Sequence, residues 1–479
     1  IELCDGTHTV IPIRSIMRKV GGYASGLVGF VGVQTNQCPG AVDLADHFLK
    51  ANIPVAIGGF HVSGCVAMLP TLPRDLQAAE EKGISLFAGE AEGHLDEVLR
   101  DAYAGKLKPL YNFLNEGRSL ESSPSPFLPV QIVKNTFRRL SSFDAGRGCP
   151  FQCSFCTIIN VQGRKSRYRS ADDIEQIIRV NLQQGVGRFF ITDDDFARNS
   201  NWEAILDRCI QMREEEGLAI SFTAQVDVGA YKIPQFIEKC ARAGCNNIFI
   251  GLENLNPDSL AGAKKLQNKI WQYRKMLQAW KDHGCTTVAG YILGFPSDTP
   301  ESIARDIEII KNELPLDGLE FFCLTPLPGS EDHRKHCERG AWIEPDMNKY
   351  DLEHVTMGHP LMTKEEWQRT YRNAWKQYYT EEHIERVLYR AAAKDQDIYK
   401  VMFLLLCLGG SIALEGIHPL EAGMFRLKVR TMRRPGMPRE NPLSFYPRRA
   451  WEIASLSVRW LNLVRRFFKI LRRVQARTQ

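Results

Sequence analysis

Between Gly146 and Leu324 short apolar runs alternate with stretches of helical periodicity, which confines this part of the chain to repeated βα units on a parallel sheet or barrel. The runs at 187–192, 219–224, 247–251, 286–293 and 318–324 read as strands, and 171–184, 202–213, 234–243, 258–282 and 300–312 as the helices between them. In such folds the loops at the C-terminal ends of the strands carry the chemistry. An α/β fold is the expectation, with function sought at those loops.

The first loop of the series holds GRGCPFQCSFC, which sets Cys149, Cys153 and Cys156 in a C-x3-C-x2-C array. Thiolates are soft ligands suited to iron–sulfur clusters. A [4Fe–4S] cluster normally takes four of them, so three local cysteines leave one iron open to a small molecule. A structural zinc would want a second C-x2-C pair or a paired histidine, and neither follows at such spacing.

With Phe155 directly before the third cysteine, the array resembles the signature of the radical S-adenosylmethionine (SAM) superfamily. The resemblance implies that the cysteines hold a [4Fe–4S] cluster, that the methionine amine and carboxylate of SAM chelate its open iron, and that one electron cleaves SAM to a 5′-deoxyadenosyl radical. It implies a partial (β/α)6 barrel and an electron donor such as a flavodoxin or ferredoxin. It also assigns SAM contacts: Phe155 in the cluster loop, and Asp193, Asp194 and Asp195 after the second strand, where acids receive the amine. Gln225, beside Asp227, ends the third strand, and Glu253 in GLEN is placed for the ribose. In YILGFPSD, Gly294 and Pro296 resemble the segment that passes the adenine, and TPLPGS at 325–330 is given a structural role. Read from the residues alone, the three acids could equally open a helix and Glu253 could form a surface salt bridge.

Residues 1–112 read as a separate, doubly wound α/β domain, which binds ligands across its strand tips. VGVQTNQ, GGFHVS and GEAEG resemble loops of the cobalamin-binding domain that precedes the radical SAM barrel in one subfamily. The resemblance implies cobalamin contacts from Thr35, Gly58, Gly59, His61, Ser63, Gly89 and Glu90, with His61 either a cobalt ligand or an ordinary loop residue. The opening IELCD reads as the second strand of such a domain, so a first strand and helix are expected to be missing from this sequence. A rival use of the region is a second cluster on Cys4, Cys38 and Cys65, as in methylthiotransferases.

The 13 cysteines are an odd number, ten of them scattered outside the triplet, so they do not form a disulfide framework and a reduced cytoplasm is expected. The Ser/Pro/Gly-rich 115–129 marks an exposed connector within a linker over 113–140, followed by the barrel over 141–335 and a helical region over 336–479. The apolar run at 401–414 is too short for a membrane span and reads as a buried helix. Residues 424–479 hold 15 Lys and Arg against 2 Asp and Glu, whereas the rest of the chain holds 46 against 54. In that basic tail Leu456, Trp460, Leu463, Phe467, Leu471 and Val474 share one helix face, which either packs on the domain or lies on the inner face of an anionic membrane. The apolar stripe would have no task on a nucleic acid, so none is expected as a partner.

The function expected is a cobalamin-dependent radical SAM methyltransferase acting on an unactivated carbon of a small or lipid-like substrate. The alternatives are a cobalamin-binding radical SAM cyclase or rearrangement enzyme, a methylthiotransferase, and, outside catalysis, a membrane-associated binding protein with a relic cluster.

Overall fold

The computed structural model describes the chain except for residues 1–3, 5–9, 24, 122, 125–126, 135, 137–138, 395, 424–425, 427, 431–436 and 479. The first sheet joins β1 (Val28–Phe30), β2 (Val55–Gly58), β3 (Ser85–Ala88) and β4 (Leu110–Asn112) in parallel, in the order β1-β2-β3-β4. Helices Cys38–Leu49, Phe60–Met68, Arg74–Glu81 and Leu95–Tyr103 connect the strands. Among the described residues the strand order does not reverse, so the sheet winds in one direction rather than doubly. The expected strand IELCD falls outside the described residues apart from Cys4.

The second sheet begins at β5 (Ser141–Phe143). A two-stranded antiparallel ribbon follows, β6 (Gly146–Arg147) with β7 (Arg167–Tyr168). The sheet continues through β8 (Arg188–Ile191), β9 (Ser221–Val226), β10 (Cys245–Glu253), β11 (Thr286–Leu293) and β12 (Gly318–Cys323), all parallel, in the order β12-β11-β10-β9-β8-β5. The helices start where the sequence caps them. Ser170 and Thr299 accept from the amides of Asp173 and Ser302 at the starts of Ala171–Gln183 and Pro300–Glu313.

The pleat divides the sheet's side chains between two environments. Phe189, Phe222, Ile248, Ile250, Ala289, Tyr291, Leu319 and Phe321 pack in the main core. Phe190, Thr223, Gln225, Phe249, Ile292, Glu320 and Phe322 line a cavity on the other face.

The helix expected over 258–282 is divided into Pro257–Gly262 and Tyr273–Asp282. Lys264 between them takes a left-handed φ of 55°, and Asn268 Nδ2 donates to the carbonyls of Gly251 and Leu252, which ties the intervening loop to β10.

The linker is not a free tether. Leu120 and Val133 are buried, and the carbonyls of Arg118 and Ser123 accept from Arg167 and Arg169.

The tail is one helix, Pro442–Thr478, and the face suggested for lipid is already occupied. Phe467, Leu471 and Val474 are buried against Ile384, Leu388, Val401 and Leu405, with Trp460 and Leu463 packed at the edge. Trp451, Val458, Leu461 and Phe468 on other faces stay exposed.

The apolar run at 401–414 lies in a longer element, helix Ile398–Gly410 extended by a π-turn to Glu415. Its 18 residues have mean hydropathy 1.7, enough by length and composition alone for a membrane span. Val401, Met402 and Leu405 pack against the tail helix and its neighbours, while Phe403, Leu404 and Cys407 face the cavity. Both faces therefore have apolar surroundings within the protein.

Candidate active site

The β6–β7 ribbon pinches the cysteine loop at its base. Gly148 makes the turn at φ 89°, where a Cβ would meet the Lys165 carbonyl oxygen at 2.5 Å, and the Cys149 amide donates to the Gly163 carbonyl. Burial pushes the Cys149 thiol up to about 12 and Cys156 to about 11. Backbone donors at Phe151, for Cys149, and at Ile158 and Ile159, for Cys156, act in the opposite sense. The charges of the triplet act on one another, so the three sulfurs form one group. Cys153 is buried, with Gln267 Nε2 at 3.6 Å from its sulfur.

The three acids after β8 have three different settings. Asp193 Oδ1 accepts from the amides of Ala145 and Gly146 at 2.7 Å each, and Oδ2 from Asn199 Nδ2, so this carboxylate pins the β5–β6 junction. Burial lifts it to about 7. Asp195 accepts from the Asp227 amide, and the Asp227 carboxylate is clasped by Arg198, whose guanidinium lies 5.5 Å from the Phe151 ring. Asp195 is raised by burial and then by the Asp227 charge. Asp194 acts electrostatically on Cys156, and its carboxylate is raised by burial to about 6 with only its own amide to offset that. Of the three, Asp194 is the one left without a side-chain partner among the described residues.

Gln225 and Glu253 both line the cavity, as does Phe155. Glu253 sits at a bulge in β10 with φ 65° and takes Lys265 Nζ at 2.6 Å. That ion pair is buried, not at the surface, and Lys265 stands 5.8 Å from the Phe155 ring. At Gly294, expected beside the adenine, the Cβ side of the backbone is taken by the protein itself. A Cβ there would fall 1.8 Å from Trp367, so the space belongs to an indole of helix Lys364–Tyr378.

The residues of the first sheet assigned to cobalamin are mostly committed to the chain itself. A Cβ at Gly58, Gly59 or Gly89 would meet the backbone of Phe87, Val33 or Phe113. Ser63 Oγ accepts from the Gly89 amide. His61 lies on helix Phe60–Met68 rather than in a loop and is fully buried. Its Nε2 stands 2.7 Å from Asp75 and its Nδ1 3.3 Å from Thr35 Oγ1, so neither nitrogen is free for cobalt. Glu90 reaches the cluster loop instead, accepting from Arg167 and lying 2.9 Å from Arg147 Nη1. Thr35 lines the cavity, together with Gln34 and Phe60.

These commitments dock the first sheet onto the cysteine loop. Helix Phe60–Met68 meets TPLPGS so closely that a Cβ at Gly64 would fall 2.3 Å from the Pro328 carbonyl oxygen. The same segment accepts from Thr157 Oγ1 at Pro328 and from Asn160 Nδ2 at Gly329. The cavity, about 1240 Å³, runs from Cys156, Thr157 and Leu324 at one end to Lys400 and Phe403 at the other. Arg147, Arg167, Lys265 and Glu320 were missed in the sequence. Only Arg147, inside GRGC, lay close enough to a motif to draw notice.

Residues 144–310 match the family model of the radical SAM superfamily. The chain is 28% identical over 313 residues to bacteriochlorophyllide d C-12(1)-methyltransferase of Chlorobaculum tepidum, spanning 63% of each protein's length. Its fold is similar to that of TsrM, a radical SAM methyltransferase from Kitasatospora setae with cobalamin and a [4Fe–4S] cluster bound (TM-score 0.56, 16% identity, 70% of this chain and 71% of that one). It is also similar to the cobalamin-dependent SAM radical enzyme OxsB with aqua-cobalamin bound (TM-score 0.58, 15% identity, 98% and 74%). Residues 144–310, with the cysteine triplet near their start, are a domain of the radical SAM superfamily.

Proposed function

We propose that the chain is a cobalamin-dependent radical SAM methyltransferase acting on an unactivated carbon. The observation that carries this is one cavity lined both by Cys156 of the triplet and by Gln34, Thr35 and Phe60, which follow strands of the first sheet. When bound, a [4Fe–4S] cluster supplies the electron that cleaves SAM and a corrin supplies the methyl carrier. The first sheet is the cobalamin-binding unit in this proposal, the second a partial (β/α)6 barrel, and the units are 1–112, 113–140, 141–335 and 336–479.

The donor set suits the cluster. Cys149, Cys153 and Cys156 offer three thiols on one pinched loop, and coordination removes the protons that burial favours on Cys149 and Cys156 in the free protein. Backbone N–H groups at Phe151, Ile158 and Ile159 stabilise the thiolates. Asp194, beside Cys156 and without a side-chain partner, suits the cationic amine of SAM. Gln225 and Glu253 suit the ribose, and Lys265 Nζ at 2.6 Å holds the Glu253 carboxylate in place.

For the corrin, Thr35 offers contact on the cavity wall, while Ser63 and the glycines shape the backbone behind it. The engaged nitrogens of His61 fit a corrin without histidine ligation from this helix. The relative's name favours methyl transfer over the cyclase alternative, and the corrin in both neighbours favours it over the methylthiotransferase.

The test is anaerobic incubation of the reconstituted chain with SAM and dithionite, with 5′-deoxyadenosine as the readout. Production by the wild type and none by Cys153→Ala is expected. Equal production by both would contradict the assignment.

A further inference from the structure

Glu320 is a carboxylate of the cavity that the proposed chemistry leaves unused. It projects from β12 into the cavity, and among the described residues no donor reaches its carboxylate. Polar groups at or beside the cavity are engaged elsewhere. Tyr379, close enough to feel the Glu320 charge, donates its hydroxyl to the Leu319 carbonyl at 2.8 Å. Lys400 donates to the Asn246 carbonyl at 3.0 Å.

The surroundings are apolar by construction. Gly290 pairs with Glu320 across the strands, and the rings of Phe249 and Phe322 close over it, 3.1 Å and 3.2 Å from where a Cβ would stand. Val288 and Ile292 of β11 line the same cavity. Helix Ile398–Gly410 closes it with Phe403, Leu404 and Cys407. A carboxyl set among such groups without a partner is unfavourable, and a ligand that donates to it removes the cost. Burial accordingly lifts Glu320 to about 7.

Position completes the argument. Glu320 lies four residues before Leu324, which lines the cavity's cluster end with Cys156. At about 3.3 Å per residue, that is roughly 13 Å along the strand. We infer that Glu320 anchors the polar end of an elongated, otherwise apolar substrate that carries an amine or hydroxyl, holding the carbon remote from that group towards the cluster loop. This rests on the proposed function and adds a substrate class and a specificity residue to it.

The test uses the full chain with N-phenyl-1-naphthylamine as a fluorescent cavity probe, displaced by decylamine, decanol or decanoate. In the wild type decylamine and decanol should displace the dye about tenfold or more better than decanoate, since a hydrogen bond to a charged group has that magnitude. Glu320→Leu should still bind the dye but compress the decylamine-to-decanoate ratio to about twofold, while Glu320→Gln keeps decanol. No discrimination by the wild type, or full discrimination by Glu320→Leu, would overturn the inference. Wild-type SAM cleavage is measured alongside. Its absence sinks the proposed function while leaving alkyl discrimination intact, whereas lost discrimination with SAM cleavage present sinks the anchor alone.

Discussion

Arg147, two residues before the first cysteine of the triplet, holds Glu90 of the loop after β3 at 2.9 Å. It also donates to Glu92 at 2.7 Å and to Asp144 at 2.7 Å. Burial pushes the Glu92 carboxyl up, but the Arg147 hydrogen bond and charge, with its own backbone amide and the Arg169 charge, together hold it below its ordinary value. The base of the cluster loop is thereby fastened to the first sheet by charge, in a junction where both partners are mostly buried. Glu90→Gln should cost about 2 kcal/mol, the value of a charge-assisted hydrogen bond, read as a lower urea midpoint. An unchanged midpoint would mean that the junction is held without Glu90, by Glu92 and the Gly64–Pro328 contact.

Asp193 and Asp194 should separate under substitution. Asp194→Asn is expected to weaken SAM binding about tenfold at unchanged iron content, as loss of one charge-assisted contact implies. Equilibrium dialysis with SAM checks this, and undiminished binding would remove Asp194 from the site.

Asp193 gives a pH dependence with a defined sign. Its folded value of about 7 exceeds the ordinary 3.8, so the folded chain binds this proton more tightly than the unfolded one. The stabilisation is full below about pH 4 and fades as pH rises towards 7, by at most about 1.4 kcal/mol per unit. Asp193→Asn keeps an oxygen for the Ala145 and Gly146 amides and has no proton to lose. Its urea stability should therefore fall less than the wild type's between pH 5 and pH 7, and parallel slopes would contradict the assignment.

Gly294→Ala should be destabilising by about 1–3 kcal/mol, because the new methyl collides with Trp367 and the φ of 109° strains an L-residue. Thermal unfolding of Gly294→Ala with and without Trp367→Leu tests the contact. Purely additive losses would show that the two residues do not meet.

The tail helix should be part of the domain's stability. Phe467 is 4% exposed within a cluster drawn from three helices, and Phe467→Ala should cost about 3–5 kcal/mol. A loss under about 1 kcal/mol by denaturant titration would mean that the helix is not packed as described.

The βα alternation and the triplet were legible because each is local. Apolar period and turn residues mark strands such as β11, matched over all of Thr286–Leu293, and the cysteines lie within eight residues of one another. What escaped depends on partners far along the chain. Nothing beside Gly294 in the sequence announces Trp367, 73 positions on, and the Gly64–Pro328 contact spans 264. His61 shows the same limit, since GGFHVS looks like a ligand-binding loop until Thr35 and Asp75 take both ring nitrogens. The face of the tail helix that packs could be found by its period, but only the folded chain shows what it packs against.

The most direct measurement is the iron, sulfide and corrin content of the chain purified without oxygen and reconstituted with iron, sulfide and hydroxocobalamin. About four irons and one corrin per chain are expected, as one [4Fe–4S] cluster on the triplet and one cobalamin require. A single zinc-like ion, or four irons with no corrin retained, would contradict the account.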